Sequence, residues 1–158
     1  MQKFLGLCLV VLSFAARADS AVSRWSVQSS LDEVYPVLYQ ALEEHRFFVI
    51  FEPNIGANLA NFAERWGDDY NRNRLGGIRS MVFCNPWYAN QVSNLDPDML
   101  ALCPLSLTLI EQQGETRILF VRPAYIAAGS KAEPLLEELE HDLNKAVNAG
   151  LKNLSPPQ

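Results

Sequence analysis

The chain has few of the side chains that metal sites and nucleophilic sites use. Its 158 residues include three cysteines and two histidines, and the histidines stand far apart at positions 45 and 141. Their spacing matches no zinc site, and no Cys-x-x-Cys, Gly-x-Ser-x-Gly, Walker loop or dinucleotide fingerprint occurs. His45 and His141 each fall close to the apolar stripe of a predicted helix, where packing or surface exposure is the usual role. The sequence therefore predicts no catalytic residue, no metal site and no cofactor.

Basic residues are also scarce. The whole chain carries 13 lysines and arginines against 18 acidic residues. Removal of residues 1–18 would take Lys3 and Arg17 away, leaving 13 − 2 = 11 basic residues and a formal net charge of 11 − 18 = −7. Nucleic acids and anionic membranes bind to basic surfaces. The charge balance therefore argues against either as the main partner.

The longest apolar run lies at the N-terminus and is too short to cross a bilayer. Phe4 to Ala16 is apolar apart from one glycine and one serine, whereas a membrane-spanning helix needs about 20 such residues. Lys3 precedes the run, and Ala16-Arg17-Ala18 forms a small-x-small cleavage pattern. We predict a signal peptide over residues 1–18, which would also remove Cys8. The mature chain should then be periplasmic or secreted, without a stable membrane anchor.

The remaining 158 − 18 = 140 residues contain no repeat, no low-complexity segment and no internal linker. This length suits one domain with a core of its own. We predict a single domain over residues 19–151. Residues 152–158, which end in Ser-Pro-Pro-Gln, are predicted to form a flexible tail.

The spacing of apolar residues predicts five strands. Four of them, over residues 24–29, 78–84, 105–110 and 116–122, follow from alternation or from short apolar runs. Leu105, Leu107 and Leu109 should face one way, with the residues between them facing the other. Phe47–Phe51 is continuously apolar, which predicts a strand covered on both faces.

Two long helices are predicted from their first turns. Each is preceded by a serine, Ser30 or Ser130, with a glutamate three residues later. This spacing is that of a capping box. Pro36 lies inside the first helix and predicts a kink there or a later start. Gly150 is predicted to end the second helix as a left-handed cap.

The order of these elements predicts an α+β fold of the form β-α-β4-α. The simplest packing is a single antiparallel sheet with both long helices on one face and short helices inserted around the third strand. Leu119 and Val121 alternate with Ile118 and Phe120, so both faces of the last strand carry apolar residues. An apolar sheet face that no helix covers usually contacts a partner, and we predict a homodimer through it. Coverage of that face by the inserted helices is the alternative.

Cys84 closes the third strand, and Cys103 opens the fourth. Neighbouring antiparallel strands place opposite residues about 5 Å apart, and an exported protein meets an oxidising compartment. We predict a disulfide that closes a loop of about 19 residues and stabilises the fold by on the order of 3 kcal/mol. A redox pair, a soft-metal site and two unpaired thiols are the alternatives. Neither a Cys-x-x-Cys spacing nor an adjacent His or Met supports the first two.

Two further groups of residues are candidates for a binding site. Arg65, Arg72, Arg74 and Arg79 could form an anion-binding patch, but acidic residues lie among them, and a solvated, salt-bridged loop is the commoner outcome. Trp87 and Tyr88 follow an Asn-Pro turn and could line a pocket, although aromatic packing under a loop is the commoner arrangement.

Four short motifs in the chain resemble the domain-of-unknown-function 302 family. They are Phe83-Cys84-Asn85-Pro86, Asp96-Pro97, Cys103-Pro104-Leu105 and Phe120-Val121-Arg122-Pro123. The resemblance runs from about residue 25 to residue 151. It implies a fold similar to the TATA-box-binding-protein class, with the same β-α-β4-α order, and a dimer.

The resemblance identifies motif positions but implies no reaction at them. Asn85, Pro86, Pro104 and Arg122 stand at such positions, and the family has no assigned activity, so no catalytic role is implied. Members often have glycine before the Asn-Pro step and often lack a cysteine before the later proline. The pair of cysteines therefore marks a subgroup.

Three classes of function follow from the sequence. The leading one is a non-catalytic dimeric protein of the periplasm that binds a small ligand or acts as an accessory to a protein partner. The second is a thiol–disulfide or sulfur-handling protein that uses Cys84 and Cys103. The third is a hydrolytic or isomerising enzyme whose site the sequence does not reveal.

Overall fold

The computed structural model describes residues 20–154, so the predicted signal peptide, Asp19 and the last four residues lie outside the described part of the chain. The strands are β1 (Val22–Val27), β2 (Phe48–Phe51), β3 (Gly77–Cys84), β4 (Leu105–Gln112) and β5 (Glu115–Val121). The helices are α1 (Leu31–Glu44), α2 (Ile55–Ala60), α3 (Ala63–Trp66), α4 (Pro86–Leu95), α5 (Pro123–Ile126) and α6 (Glu133–Lys152). Two short 3-10 helices cover Gly67–Asp69 and Pro97–Leu102.

All five strands form one antiparallel sheet in the order β1-β5-β4-β3-β2. The long helices α1 and α6 pack on one face of this sheet and against each other. Short helices lie on either side of β3 in the chain. The predicted α+β fold is therefore confirmed. Within residues 20–154, no helix combines the length and the apolar character that crossing a bilayer requires.

The core lies between the sheet and the two long helices. Leu105, Leu107 and Leu109 of β4 are buried there, as their alternation predicts. Phe83 of β3 is fully buried and meets Phe47 edge to face, with 5.7 Å between the ring centres. Burial of one such side chain contributes about 1.5–3 kcal/mol. This layer is therefore the main source of stability and the platform for the surrounding loops.

The capping box at Ser30 forms as predicted. The Glu33 N–H donates to Ser30 Oγ, and the Glu33 carboxylate accepts from the Ser30 N–H at 3.1 Å. Hydrogen bonds to this carboxylate from Ser29 and then Ser30 hold the pKa of Glu33 below its usual value. The helix begins at Leu31, so a later start caused by Pro36 is wrong. Pro36 is exposed and removes one hydrogen bond only, while the cap satisfies donors at the helix start.

The second predicted capping box does not form. Ser130 Oγ accepts from the Ala132 N–H at 3.1 Å and donates to Asp96 Oδ2 at 2.6 Å. The Glu133 carboxylate accepts from the Gly129 N–H at 2.6 Å. α6 begins at Glu133 without a side-chain cap. Ser130 therefore ties the start of α6 to the end of α4, a distant contact that a local motif does not reveal.

Gly150 lies inside α6, so its predicted role as the helix end is wrong. A Cβ atom at this position would lie 3.0 Å from Ala41 Cβ and 3.0 Å from the Val37 carbonyl oxygen of α1. Glycine is required here because it allows the two helices to approach closely, not because it adopts a left-handed conformation. α6 continues to Lys152, and Leu154 packs against the core. The ordered chain therefore extends past the predicted domain boundary.

β2 is much more exposed than its sequence predicts. Phe48, Ile50 and Phe51 expose 42, 62 and 63 % of their surface, so a strand covered on both faces is wrong. β2 is the edge of the sheet opposite β1, and its pairing with β3 is irregular between Val49 and Phe51. A continuous apolar run is typical of a central strand. In this chain it forms an apolar edge instead.

Candidate functional site

The two cysteines of the described chain lie at the same end of β3 and β4. The register pairs Phe83 with Leu105, which places Cys84 and Cys103 just beyond the last paired residues. Both are half-buried free thiols, and both line one apolar cavity of about 10 Å³. Such a volume holds one water molecule at most. Burial, and to a lesser degree the charge of Cys84, raise the pKa of Cys103.

The Asn-Pro turn after β3 caps a helix. Asn85 Oδ1 accepts from the N–H groups of Trp87 and Tyr88 at 3.0 and 3.3 Å, and Pro86 occupies the first turn of α4. Pro104, which precedes β4, is exposed. These motif residues therefore shape the ends of two elements, and Asn85 also lines the small cavity beside Cys84 and Cys103.

The two aromatic residues after this turn have different environments. Tyr88 is buried, and its hydroxyl donates to Asp142 Oδ2 at 2.8 Å. Burial, followed by this hydrogen bond, raises the pKa of Tyr88 above its usual value. Trp87 exposes 54 % of its surface and packs edge to face on Tyr88, with ring centres 4.9 Å apart. Tyr88 thus fixes α4 to α6, and only Trp87 reaches the surface.

Arg122 joins the end of β5 to α6. Its Nε donates to Glu140 Oε2 at 2.9 Å, and its Nη1 donates to the Ser20 carbonyl at 3.3 Å. The other oxygen of Glu140 accepts from the Ala124 N–H at 2.8 Å. A groove of about 540 Å³ lies beside this ion pair and includes His141. The guanidinium of Arg122 is therefore engaged within the fold.

The four candidate arginines have different surroundings. Arg72 pairs with Asp69, and both side chains are largely exposed. Arg65 and Arg74 are also exposed, and neither lines the cleft described below, although Asn73 and Leu75 on either side of Arg74 do. Arg79 is half-buried. Only Arg72 and Arg79 line the same cleft, which has a volume of about 770 Å³.

We call this space the Arg79 cleft. It lies between the start of α1, helix α2, residues 69–75, the start of β3 and Glu111 of β4. The guanidinium carbon of Arg79 stands 3.5 Å from the centre of the Tyr35 ring. Among the described residues, no carboxylate forms an ion pair with Arg79, although Asp32, Asp69 and Glu111 line the same cleft.

Tyr35 holds Arg79 in place. Its hydroxyl donates to Glu52 Oε2 at 2.8 Å and lies 3.2 Å from the Ser80 carbonyl oxygen. Burial, followed by the hydrogen bond to Glu52, raises the pKa of Tyr35 to about 12. The ring therefore stays neutral at physiological pH, and its face attracts the guanidinium as a cation–π partner.

Glu111 supplies an opposite charge to the same cleft. Its Oε2 accepts from the Leu31 N–H at 2.8 Å, at the first residue of α1. Its Oε1 would lie 3.4 Å from a Cβ atom at Gly76, so the absence of a side chain there leaves this oxygen open. No pattern in the sequence points to Glu111 or Tyr35 as a site residue. They lie 32 positions after and 44 positions before Arg79 in the chain, and no local motif joins them.

The sheet face opposite α1 and α6 is here called the open face. Val22 and Val121 are paired neighbours on it and expose 37 and 55 % of their surface. Val82, Ile110 and Leu119 continue the same face and are partly exposed. None of these five apolar side chains is fully buried. The β1–β5 end of this face is therefore exposed, whereas its β3 part is less so, since Ser80 on the same face is buried.

No group of three or more His, Cys, Asp or Glu side chains in residues 20–154 is placed to hold a metal ion.

Comparison with known proteins gives a family and a fold. A family model described as "Domain of unknown function DUF302" matches residues 24–150. A solved structure, "Crystal structure of uncharacterized conserved protein DUF302 from Bacillus stearothermophilus", superposes with a TM-score of 0.65 at 21% sequence identity, covering 85% of this chain and 98% of that chain. No curated protein matches the chain. At this identity the structural likeness shows the fold alone, whereas the family match spans most of the sequence. The chain therefore belongs to the family of domain of unknown function DUF302.

Proposed function

We propose that this chain is an exported, non-catalytic protein that binds a small ligand and works as a homodimer. The Arg79 cleft carries the proposal. Its volume of about 770 Å³ falls within the range of about 300–1,000 Å³ that small-molecule sites occupy. It also holds a half-buried arginine without a carboxylate partner among the described residues. Such a guanidinium offers fixed donors to an anionic group of a ligand.

The open face supports a dimer. Its exposed apolar residues include Val22 and Val121, which lie side by side on β1 and β5. A twofold interface places the same face of each subunit in contact and buries about 800 Å² per subunit in a stable complex. Arg79 lies on the opposite, helix-covered face of the sheet, where it pairs with the buried Leu109.

Export rests on residues 1–18, which have the pattern of a cleaved signal peptide. One measurement tests export, dimerisation and ligand binding together. Native mass spectrometry of the protein purified from a periplasmic extract should give a dimer whose chains begin at Asp19. Part of the population should carry an added small-molecule mass that disappears after denaturation. A full-length chain would contradict export, a monomer would contradict the dimer, and a bare chain would contradict retained ligand binding.

A thiol–disulfide or sulfur-handling function is the second candidate. Cys84 and Cys103 line one cavity as free thiols, an arrangement that permits a bond between them. The raised pKa of Cys103 argues against its use as a nucleophile, because the thiolate is the reactive form. We therefore expect this pair to form a structural disulfide after export, and not a redox centre.

Maleimide labelling of untreated periplasmic protein tests the role of the cysteines. We expect no label before reduction and two labels per chain after reduction and unfolding. Replacement of both Cys84 and Cys103 by Ala should lower the melting temperature under oxidising conditions, since the disulfide should stabilise by on the order of 3 kcal/mol. In reductant the wild type and the double variant should melt at similar temperatures. Rapid labelling without reductant would rule out the disulfide, and reduction at the potential of glutathione would support thiol chemistry.

A further inference from the structure

Arg79 and Glu111 are diagonal neighbours on the helix-covered face of the sheet. Arg79 pairs with Leu109, and Glu111 pairs with Gly77, on the adjacent strands β3 and β4. Diagonal neighbours in an antiparallel pair have Cα atoms about 7–8 Å apart. Opposite charges at this spacing normally form an ion pair across the strands. Within the described chain, these two do not.

Each of the two charged groups is held by a different neighbour. The Arg79 guanidinium stacks on Tyr35 at 3.5 Å, and Glu52 anchors the Tyr35 hydroxyl at 2.8 Å. Glu111 binds the Leu31 N–H at the start of α1 at 2.8 Å. The contacts that hold Arg79 and Glu111 apart therefore come from α1 and from Glu52, which directly follows β2.

The space beside these charges is kept open by glycine. A Cβ atom at Gly76 would meet Glu111 Oε1 at 3.4 Å, and a Cβ atom at Gly77 would meet Leu31 Cδ1 at 3.1 Å. Both glycines line the Arg79 cleft, together with Ile78. The cleft thus presents the Arg79 guanidinium and a Glu111 oxygen that has no donor among the described residues. Asp32 and the paired Arg72 and Asp69 also line it.

We propose that the Arg79 cleft binds a free α-amino acid. This inference rests on the proposed ligand-binding function and names the class of ligand. The ligand carboxylate accepts two hydrogen bonds from the Arg79 fork, a bidentate geometry that arginine favours. The ligand ammonium donates to Glu111 Oε1. The two charges of an α-amino acid are separated by a single carbon atom, and Arg79 and Glu111 both gain a partner in one binding event.

A ligand with only one of the two charges binds much more weakly. Acetate leaves Glu111 without a donor, and methylamine leaves Arg79 without an acceptor. Sites built to bond a polar group discriminate strongly against an analogue that lacks it, because the buried partner is then unpaired. The zwitterion, and not net charge, is therefore the feature that the cleft recognises.

Thermal unfolding of the mature protein tests this inference. The melting temperature is measured first with a mixture of the standard L-amino acids and then with each amino acid singly. At tenfold excess over the dissociation constant, the melting temperature should rise by about 5 °C. Acetate and methylamine at equal concentration should give no shift. Isothermal titration with the best amino acid then supplies the dissociation constant for the comparison of variants.

Two variants and a matched control locate the bound amino acid. Arg79→Gln and Glu111→Gln should each weaken binding at least tenfold, the second while keeping an oxygen acceptor for the Leu31 N–H. Arg65→Gln is the matched control, because Arg65 is exposed and does not line the cleft. It should leave the dissociation constant within twofold of the wild type. Arg79→Lys keeps the charge without the planar fork, and it replaces Arg79→Gln if that variant does not fold.

The outcomes separate this inference from the proposed function. An equal shift with acetate, or an amino-acid affinity unaffected by both Gln variants, would overturn the zwitterion site. If no amino acid binds but the protein from the periplasm retains another molecule that Arg79→Gln loses, the ligand-binding function stands and the ligand class is wrong. If no ligand of either kind is found, both are wrong.

Discussion

Replacement of Phe83 by Ala should lower the free energy of unfolding by about 3–5 kcal/mol. Phe83 is fully buried near the end of β3, and its ring meets Phe47 edge to face with 5.7 Å between the ring centres. The substitution removes apolar contacts and leaves a cavity that the paired strands β2, β3 and β4 cannot close. Urea unfolding followed by circular dichroism measures the change, which should appear as a lower midpoint with an unchanged slope.

Phe62→Ala is the matched control for this prediction. Phe62 exposes 45 % of its surface and stacks on Trp66, with ring centres 5.1 Å apart. The same chemical change there removes one exposed aromatic contact. The free energy of unfolding should therefore fall by about 1 kcal/mol or less. Equal losses for the two variants would show that the layer between the sheet and the long helices is not the main source of stability.

Val121→Asp should convert the proposed dimer to a monomer without unfolding it. Val121 exposes 55 % of its surface on the open face, and its partner Val22 exposes 37 %. In a twofold interface each dimer would contain two such carboxylates, both desolvated and without a partner. We expect the dissociation constant of the dimer to rise by about 100-fold or more, equal to at least 2.7 kcal/mol. Light scattering at micromolar concentration measures the change.

Two further variants define the interface. Leu95→Asp adds the same charge to another exposed apolar residue, at the end of α4, and should leave the dimer intact. Ile110→Asp lies on the open face itself and should dissociate the dimer as Val121→Asp does. Circular dichroism of each variant should stay close to that of the wild type. A monomeric wild type would contradict the dimer, and an unfolded Val121→Asp would assign the open face to the core.

The parts of the fold that local patterns determine could be predicted from the sequence. Alternation in β4 identifies Leu107 as a core residue, and the sequence Ser30 to Glu33 contains every group of the first cap. Gly150 and Ser130 could not be interpreted locally. Gly150 allows α6 to pack closely against α1, and Ser130 binds Asp96, which lies 34 positions earlier in the chain. Long-range packing overrides the local meaning of these residues.

The candidate site was harder to predict than the fold. The sequence groups Arg79 with three other arginines, whereas in the fold Arg79 stacks on Tyr35 and lines a cleft that neither Arg65 nor Arg74 lines. Glu111 follows Ile110 in a strand and has no local pattern that marks it. The geometry of the Arg79 cleft depends on the register between β3 and β4, and the sequence alone does not determine that register.

The pairing of β1 with β5 also bears on the order in which the chain folds. β1 is an edge strand whose single neighbour is the last strand of the sheet, and α1 packs on the last helix, α6. A chain that emerges from a ribosome or a membrane pore with its N-terminus first cannot complete the core until β5 and α6 have followed. Contacts between residues so distant in sequence make folding slower than in proteins with mostly local contacts. This topology therefore predicts that the core cannot form until nearly the whole chain has emerged.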